Sequence, residues 1–192
     1  MKKVGVLALQ GDFEAHGKAL ARAGAEPVEV RTAGQLDQID GLVIPGGEST
    51  TMLKLLDAEN LKQPLAEFGR RKPIFGTCAG AILLAHEVRN PVQESLGLVD
   101  IAVERNAYGR QIESRVTQLT PAAEFASRTH AGDLEAVFIR APIIRRVGPG
   151  VRVLAEYQGD PVLVEQGRHL VATFHPELTV DPRVHELFVA KL

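Results

Sequence analysis

Apolar and polar positions follow two regimes along this chain. In the first half, short apolar runs alternate with segments of helical spacing. Residues 4–9 form an unbroken apolar run, the pattern of a strand buried on both faces. Residues 12–23 place Phe13, Leu20 and Ala23 among alanines, and Gly24 follows as a natural C-cap, so this segment is expected to be a helix. The same reading gives a strand at 27–30, a short helix at 33–39 and a buried strand at 42–44. Helices are expected at 49–56 and 61–70, a brief strand at Ile74-Phe75, and a helix with a solid apolar face at 79–86. Strands that alternate with helices pair in parallel through crossover connections, which predicts an α/β layered sheet.

The second half reads as strands at 98–104, 111–119, 136–140, 152–157, 162–165 and 169–174. Turn signals at Gly159-Asp160 and Gln166-Gly167 make hairpins of the last three. A helix at 184–192 closes the chain. No repeat, low-complexity stretch or linker interrupts the 192 residues, so one domain spanning 1–192 is expected.

Composition narrows the chemistry. Lys and Arg number 22 against 24 Asp and Glu, a net charge of −2, which lacks the basic footprint of a nucleic-acid binder. Arg70-Arg71-Lys72 and Arg145-Arg146 read as solvated faces. No run approaches the roughly 18–20 apolar residues of a membrane span, and Val4–Leu9 is too short and lacks the cleavage site of a signal peptide. A cytoplasmic protein with no nucleic-acid or membrane partner is expected. Cys78 is the single cysteine, which excludes internal disulfides and multi-cysteine metal sites. No metal and no cofactor are expected.

That cysteine lies in Gly76-Thr77-Cys78-Ala79-Gly80, between a strand and a helix. Gly-x-Cys-x-Gly in that context is the pattern of a nucleophile elbow, in which a strained turn presents the side chain and glycines avoid collisions with neighbouring elements. The turn sets the sulfur at a helix N-terminus and leaves the Ala79 N–H to stabilise an oxyanion. The alternative is a buried small hydrophobe, the usual fate of a free cysteine. Of the six histidines, His175 stands apart in Thr173-Phe174-His175-Pro176-Glu177-Leu178. It ends an apolar strand and has a carboxylate two residues on, as a base oriented by a third group requires. The other five, His16 among them, read as surface or packing residues. His86-Glu87, a rival pair, falls on the helix expected after the elbow.

Two further segments suit a ligand. Ile44-Pro45-Gly46-Gly47-Glu48-Ser49-Thr50-Thr51 follows a buried strand and opens a helix. Its glycines permit close backbone approach, Gly47 N–H is a second candidate oxyanion donor, and Glu48 could receive an ammonium. Helix capping by Ser49 or Thr50 explains the same residues. Arg105 and Arg140 each end a strand-like run and could clamp a carboxylate.

Together Gly76-Thr77-Cys78-Ala79-Gly80 and Phe174-His175-Pro176-Glu177 resemble the class I, triad-type glutamine amidotransferases. Within them the chain is similar to the glutaminase subunits of pyridoxal 5′-phosphate synthases. The similar stretches are Val6–Gly11, Pro45–Thr51, Arg105-Asn106-Ala107-Tyr108-Gly109-Arg110-Gln111, Phe138–Pro142 and Phe174–Leu178. The resemblance implies a three-layer, flavodoxin-like mixed sheet flanked by helices, with additional antiparallel strands in the C-terminal half. It implies a triad of Cys78, His175 and Glu177, an oxyanion hole of Gly47 and Ala79, and glutamine-binding positions at Gly46, Gly47, Glu48, Arg105, Ile139 and Arg140. It also implies L-glutamine as substrate and, as partner, a (β/α)8-barrel synthase subunit that receives the ammonia, in an assembly of twelve copies of each. The chain departs from the family where an aromatic usually follows the serine, since Arg115 follows Ser114; residues 117–133 are also less similar.

Overall fold

The structure is a computed structural model that describes residues 1–106 and 114–192. Its strands are β1 (Lys3–Leu7), β2 (Glu26–Val30), β3 (Gly41–Ile44), β4 (Ile74–Thr77), β5 (Ala85–Arg89), β6 (Val99–Glu104), β7 (Arg115–Leu119), β8 (Leu134–Phe138), β9 (Ile143–Val147), β10 (Arg152–Tyr157), β11 (Asp160–Gln166) and β12 (His169–Ala172). Its helices are α1 (Phe13–Arg22), α2 (Ser49–Ala58), α3 (Lys62–Arg71), α4 (Ala79–Leu84), α5 (Ala123–Arg128) and α6 (Arg183–Val189), with 3-10 turns at Ala33–Gln38 and Pro176–Leu178.

The main sheet runs β10-β11-β12-β4-β3-β1-β2. From β12 to β2 the strands pair in parallel, while β10, β11 and β12 form the expected antiparallel hairpins. Such a sheet must be apolar on both faces, and β3 shows how. Leu42 and Ile44 join the cluster of Leu7, Met52, Phe68 and Leu84 on one side. Val43 joins Val6, Leu20, Phe75, Phe174 and Phe188 on the other, as the two-residue period of a strand dictates. The fold is thus an α/β mixed sheet flanked by helices. Two smaller sheets, β5-β6-β9 and β7-β8, supply the extra strands.

Several boundaries differ from the sequence reading. The helix after the elbow ends at Leu84, and residues 85–89 turn into β5, parallel to β6. The run Ala81–Leu84 is wholly buried and carries no period, and in β5 an irregularity between Ala85 and Glu87 breaks the strand alternation, so that Ala85 and Val88, three residues apart, are both buried. His86-Glu87 therefore lies on a strand edge. The strand expected at 136–140 spans Leu134–Phe138, and Arg140 lies beyond it at φ 47°. Of the strand expected at 111–119, Gln111 to Glu113 lie outside the described residues, as do Ala107, Tyr108, Gly109 and Arg110 of the similar stretch. Strand β9 and helix α5 have no counterpart in the sequence reading. Arg145 and Arg146 on β9 face carboxylates, Arg145 with Glu104 at 2.5 Å and Arg146 with Asp100 at 2.9 Å. Arg115, the departure from the family, donates to the Tyr157 hydroxyl at 2.6 Å and stacks over its ring.

Candidate active site

The site gathers at the carboxyl ends of β4 and β12, neighbours in the sheet. Strand β4 ends at Thr77, and the next residue, Cys78, sits at φ 49° and ψ −104° before α4 begins. A non-glycine residue there is held against its own preference, and the surroundings show what holds it. Cys78 N–H donates to Ala172 O at 2.9 Å, tying the turn to the end of β12. Its bracketing glycines are needed because a Cβ at Gly76 would lie 2.5 Å from Gly80 O, and one at Gly80 would lie 2.1 Å from Ile44 O. The turn closes only because both side chains are absent. Cys78 Sγ lies 3.8 Å from Ile139 O.

Three residues past β12, His175 N–H donates to Val137 O at 2.8 Å, and a 3-10 turn at Pro176–Leu178 folds Glu177 back. His175 Nδ1 donates to Glu177 Oε1 at 2.7 Å, with Glu177 buried. That bond leaves Nε2 for the sulfur. Gly46 fits between these two side chains: a Cβ there would stand 2.6 Å from His175 Cε1 and 3.3 Å from Cys78 Cβ. Burial pushes the His175 imidazole down, but the neighbouring Cys78 and the hydrogen-bonded Glu177 outweigh it and raise it to about 10. An imidazolium beside the sulfur, oriented by a carboxylate, is the arrangement from which a thiolate attacks.

The loop after β3 forms the other wall. A Cβ at Gly11 would lie 1.8 Å from Gly46 O, so two backbones meet here without side chains. The Gln10 side-chain amide, oriented by its hydrogen bonds, pairs with both backbone groups of Glu48, donating to its O at 3.1 Å and accepting from its N at 3.0 Å. Glu48, rather than Ser49 or Thr50, caps α2. Its carboxylate accepts from Thr50 N–H at 3.0 Å and Thr51 N–H at 2.7 Å. Some desolvation works against these bonds to Thr51 and Thr50, yet they hold its carboxyl down at about 2. Arg105 reaches Glu48 Oε1 at 3.2 Å and Thr50 Oγ1 at 3.0 Å, whereas Arg140 is exposed.

The candidate residues Cys78, His175, Glu177, Gly46, Ala79 and Ile139 thus lie together at the carboxyl edge of the sheet, with Gly47 and Glu48 on the loop that carries Gly46 and Arg105 reaching Glu48 from the end of β6. Sequence reasoning missed Gln10, and it left His16 among the packing residues although His16 Nε2 lies 3.4 Å from Glu177 Oε2. No spacing along the chain signals either contact. A surface cleft of about 680 Å³, lined by residues that include Leu56, Asn60, Lys62, Glu67 and Leu96, contains none of Cys78, His175 and Glu177. Among the described residues no group of three or more His, Cys, Asp or Glu is placed to hold a metal ion, and no helix is long and apolar enough to cross a membrane.

A strained cysteine between a parallel strand and a helix, with a histidine–glutamate pair in the turn after the neighbouring strand β12, is the arrangement of a nucleophile with an oriented base. The model of the SNO glutamine amidotransferase family matches residues 6–192, and the chain belongs to that family. It is 71% identical over 192 residues, the whole of both chains, to the pyridoxal 5′-phosphate synthase subunit PdxT of Solibacter usitatus (strain Ellin6076). It is 58% identical over 187 residues to the PdxT of Koribacter versatilis (strain Ellin345), covering 97% of this chain and 94% of that one. A solved structure described as a glutamine amidotransferase superposes with a TM-score of 0.88 at 46% identity, covering 98% of this chain and 97% of the other.

Proposed function

We propose that this chain is the glutaminase subunit of a pyridoxal 5′-phosphate synthase, with Cys78, His175 and Glu177 as its triad. The observation that carries the reading is the Cys78 elbow at φ 49° beside a His175 whose Nδ1 is fixed 2.7 Å from Glu177. The Cys78 thiolate attacks the side-chain carbonyl carbon of glutamine, and the resulting oxyanion is received by the N–H groups of Gly47 and Ala79. The imidazolium of His175 gives its proton to the amide nitrogen, the C–N bond breaks and ammonia leaves, with a γ-glutamyl thioester on Cys78. Water, losing a proton to His175, then attacks the thioester. The C–S bond breaks, and glutamate and the thiolate are released. Glu177 keeps His175 in the tautomer and orientation both steps need.

Gly46, Gly47, Glu48, Arg105, Ile139 and Arg140 form the glutamine subsite in this reading, with Glu48 toward the substrate ammonium and Arg105 toward its carboxylate. The ammonia passes to a (β/α)8-barrel synthase subunit, in an assembly of twelve copies of each, which sedimentation of the reconstituted complex checks. Glutamate release from glutamine, measured with and without the barrel subunit, tests the function. Cys78→Ala should abolish release, and full activity in that variant would overturn the mechanism.

A further inference from the structure

Glu177 has two carboxylate oxygens, and the triad uses one. Oε1 accepts from His175, while Oε2 is buried with no hydrogen-bond partner among the described residues. A buried carboxylate oxygen without a donor is costly, so whatever lies beside it matters. That neighbour is His16, on α1 and fully buried, with Nε2 at 3.4 Å from Oε2. The same Nε2 stands 3.1 Å from Thr77 Oγ1, on the residue preceding Cys78. His16 Nδ1 is 3.0 Å from Nε2 of His185, on α6 and also fully buried. Phe75 sets an edge against both rings, at centroid distances of 6.3 and 5.7 Å, and so fixes their planes.

Two polar rings in an aromatic layer are expensive unless they do something apolar residues cannot. Burial first, then His185 and His175, holds His16 well below its ordinary value. Burial first, then Arg22, holds His185 at about 3. Both rings are therefore neutral, and each carries one proton. If His16 held its proton on Nδ1, the bare Nε2 lone pair would face a carboxylate oxygen. With the proton of His185 on Nε2, that ring donates to His16 Nδ1, and His16 keeps an Nε2–H that donates to Thr77 Oγ1 and turns its positive end toward Glu177 Oε2, 3.4 Å away. The charged and titratable groups around this chain of contacts are Cys78, His175, Glu177, His185 and Arg22.

We propose that His16, braced by His185, is a positioning residue of the triad, whose Nε2–H holds Glu177 Oε2 and with it the grip of Glu177 on His175. The inference rests on the triad assignment above. It is tested in the full-length chain assembled with its barrel subunit, using His16→Leu, which removes the donor, and His16→Gln, which keeps one. His16→Leu should lower kcat about 10- to 100-fold, the size of effect of outer partners that orient a functional histidine. KM for glutamine should stay within about twofold, because substrate contacts are untouched. The bell of kcat/KM against pH should narrow as its alkaline limb moves down, and His16→Gln should recover most of both properties. His185→Phe, which unpins the ring without removing it, should lose activity a few-fold with the same narrowing, and it serves if His16→Leu does not fold. Iodoacetamide alkylation of the single cysteine reads the dyad without glutamine, and in His16→Leu it should slow at neutral pH. A wild type that releases no glutamate would sink the glutaminase reading, while alkylation still decides the role of His16. Wild-type kcat and pH profile in His16→Leu would overturn the proposal. So would equal losses in the Leu and Gln variants with an unmoved profile, which is the mark of packing alone.

Discussion

Gly80→Ala probes the elbow through its tightest contact. Gly80 is the second residue of α4, and an added Cβ would stand 2.1 Å from Ile44 O and 3.0 Å from Ile44 C. The obstacle is the main chain of β3, so no side chain can swing aside. Ordinary contact begins at roughly 3.4 Å, so α4 and β3 must part by about 1.3 Å, and Cys78 lies at the start of the element that moves. Overpacking typically costs about 1–3 kcal/mol, and a backbone-on-backbone contact belongs at the upper end. For a chain of this size, about 3 kcal/mol lowers the melting temperature by roughly 6–12 °C. Activity should fall further than stability, since a displacement of about 1 Å at a reacting atom can cost roughly 100-fold. Gly34→Ala is the control: nothing lies within 4 Å of its Cβ position, and it should alter melting by no more than about 2 °C. Thermal melting of the chain and glutamate release in the assembled enzyme give the two readouts. A Gly80→Ala protein that melts within about 2 °C of wild type and hydrolyses glutamine at full rate would refute the close-approach argument.

Gly46→Ala would drive a methyl into His175 Cε1, 2.6 Å away, and should cut kcat about 10- to 100-fold, as steady-state kinetics would reveal. Glu48→Ala removes the cap of α2 and should cost about 0.5–2 kcal/mol in urea unfolding; an unchanged midpoint would deny Glu48 that role. Arg105→Met should raise KM for glutamine with kcat nearly kept, and an unchanged KM would remove Arg105 from the subsite. Burial first, then Arg168, holds His169 at about 4, so between pH 6.5 and 4 the unfolded chain takes up a proton that the folded chain refuses. Stability therefore falls with pH through that window, and His169→Asn should flatten the loss between pH 7.5 and 5.5 by about 1.4 kcal/mol, measured by unfolding at each pH.

What the sequence made legible, it did through local physics. The apolar runs of β1, β3 and β4 announce strands covered on both faces, and the glycines around Cys78 announce a turn that tolerates no side chains. The ring and carboxylate of His175 and Glu177 are two residues apart, so their bond follows from a short 3-10 turn. Contacts that depend on packing between distant segments left no such trace. His16 and Glu177 meet across α1 and the turn after β12, and Gln10 reaches Glu48 from the loop between β1 and α1. At β5 the sequence misled because Ala81–Leu84, buried all round, runs straight into a strand, and continuous burial erases the period that would have marked the change. Glu48 is ambiguous in the sequence for a different reason. A carboxylate at a helix start can cap, bind or do both, and the capping shows only in its geometry.

That capping geometry sets the terms on which a substrate enters the proposed subsite. A carboxylate offers about four acceptor positions, and Glu48 already fills them with Thr50 N–H, Thr51 N–H, the Thr51 hydroxyl and Arg105. An arriving ammonium must displace one donor, and the longest of the four is Arg105 at 3.2 Å. Releasing Arg105 frees a guanidinium a short reach away, just as the carboxylate of the same amino acid needs a partner. Binding then exchanges one protein ion pair for two protein–substrate pairs without stranding a charge, so a zwitterion is accepted where a lone amine or a lone acid would leave Arg105 or Glu48 unmatched. On the proposed subsite, selectivity for an α-amino acid therefore follows from a loop that satisfies itself when empty.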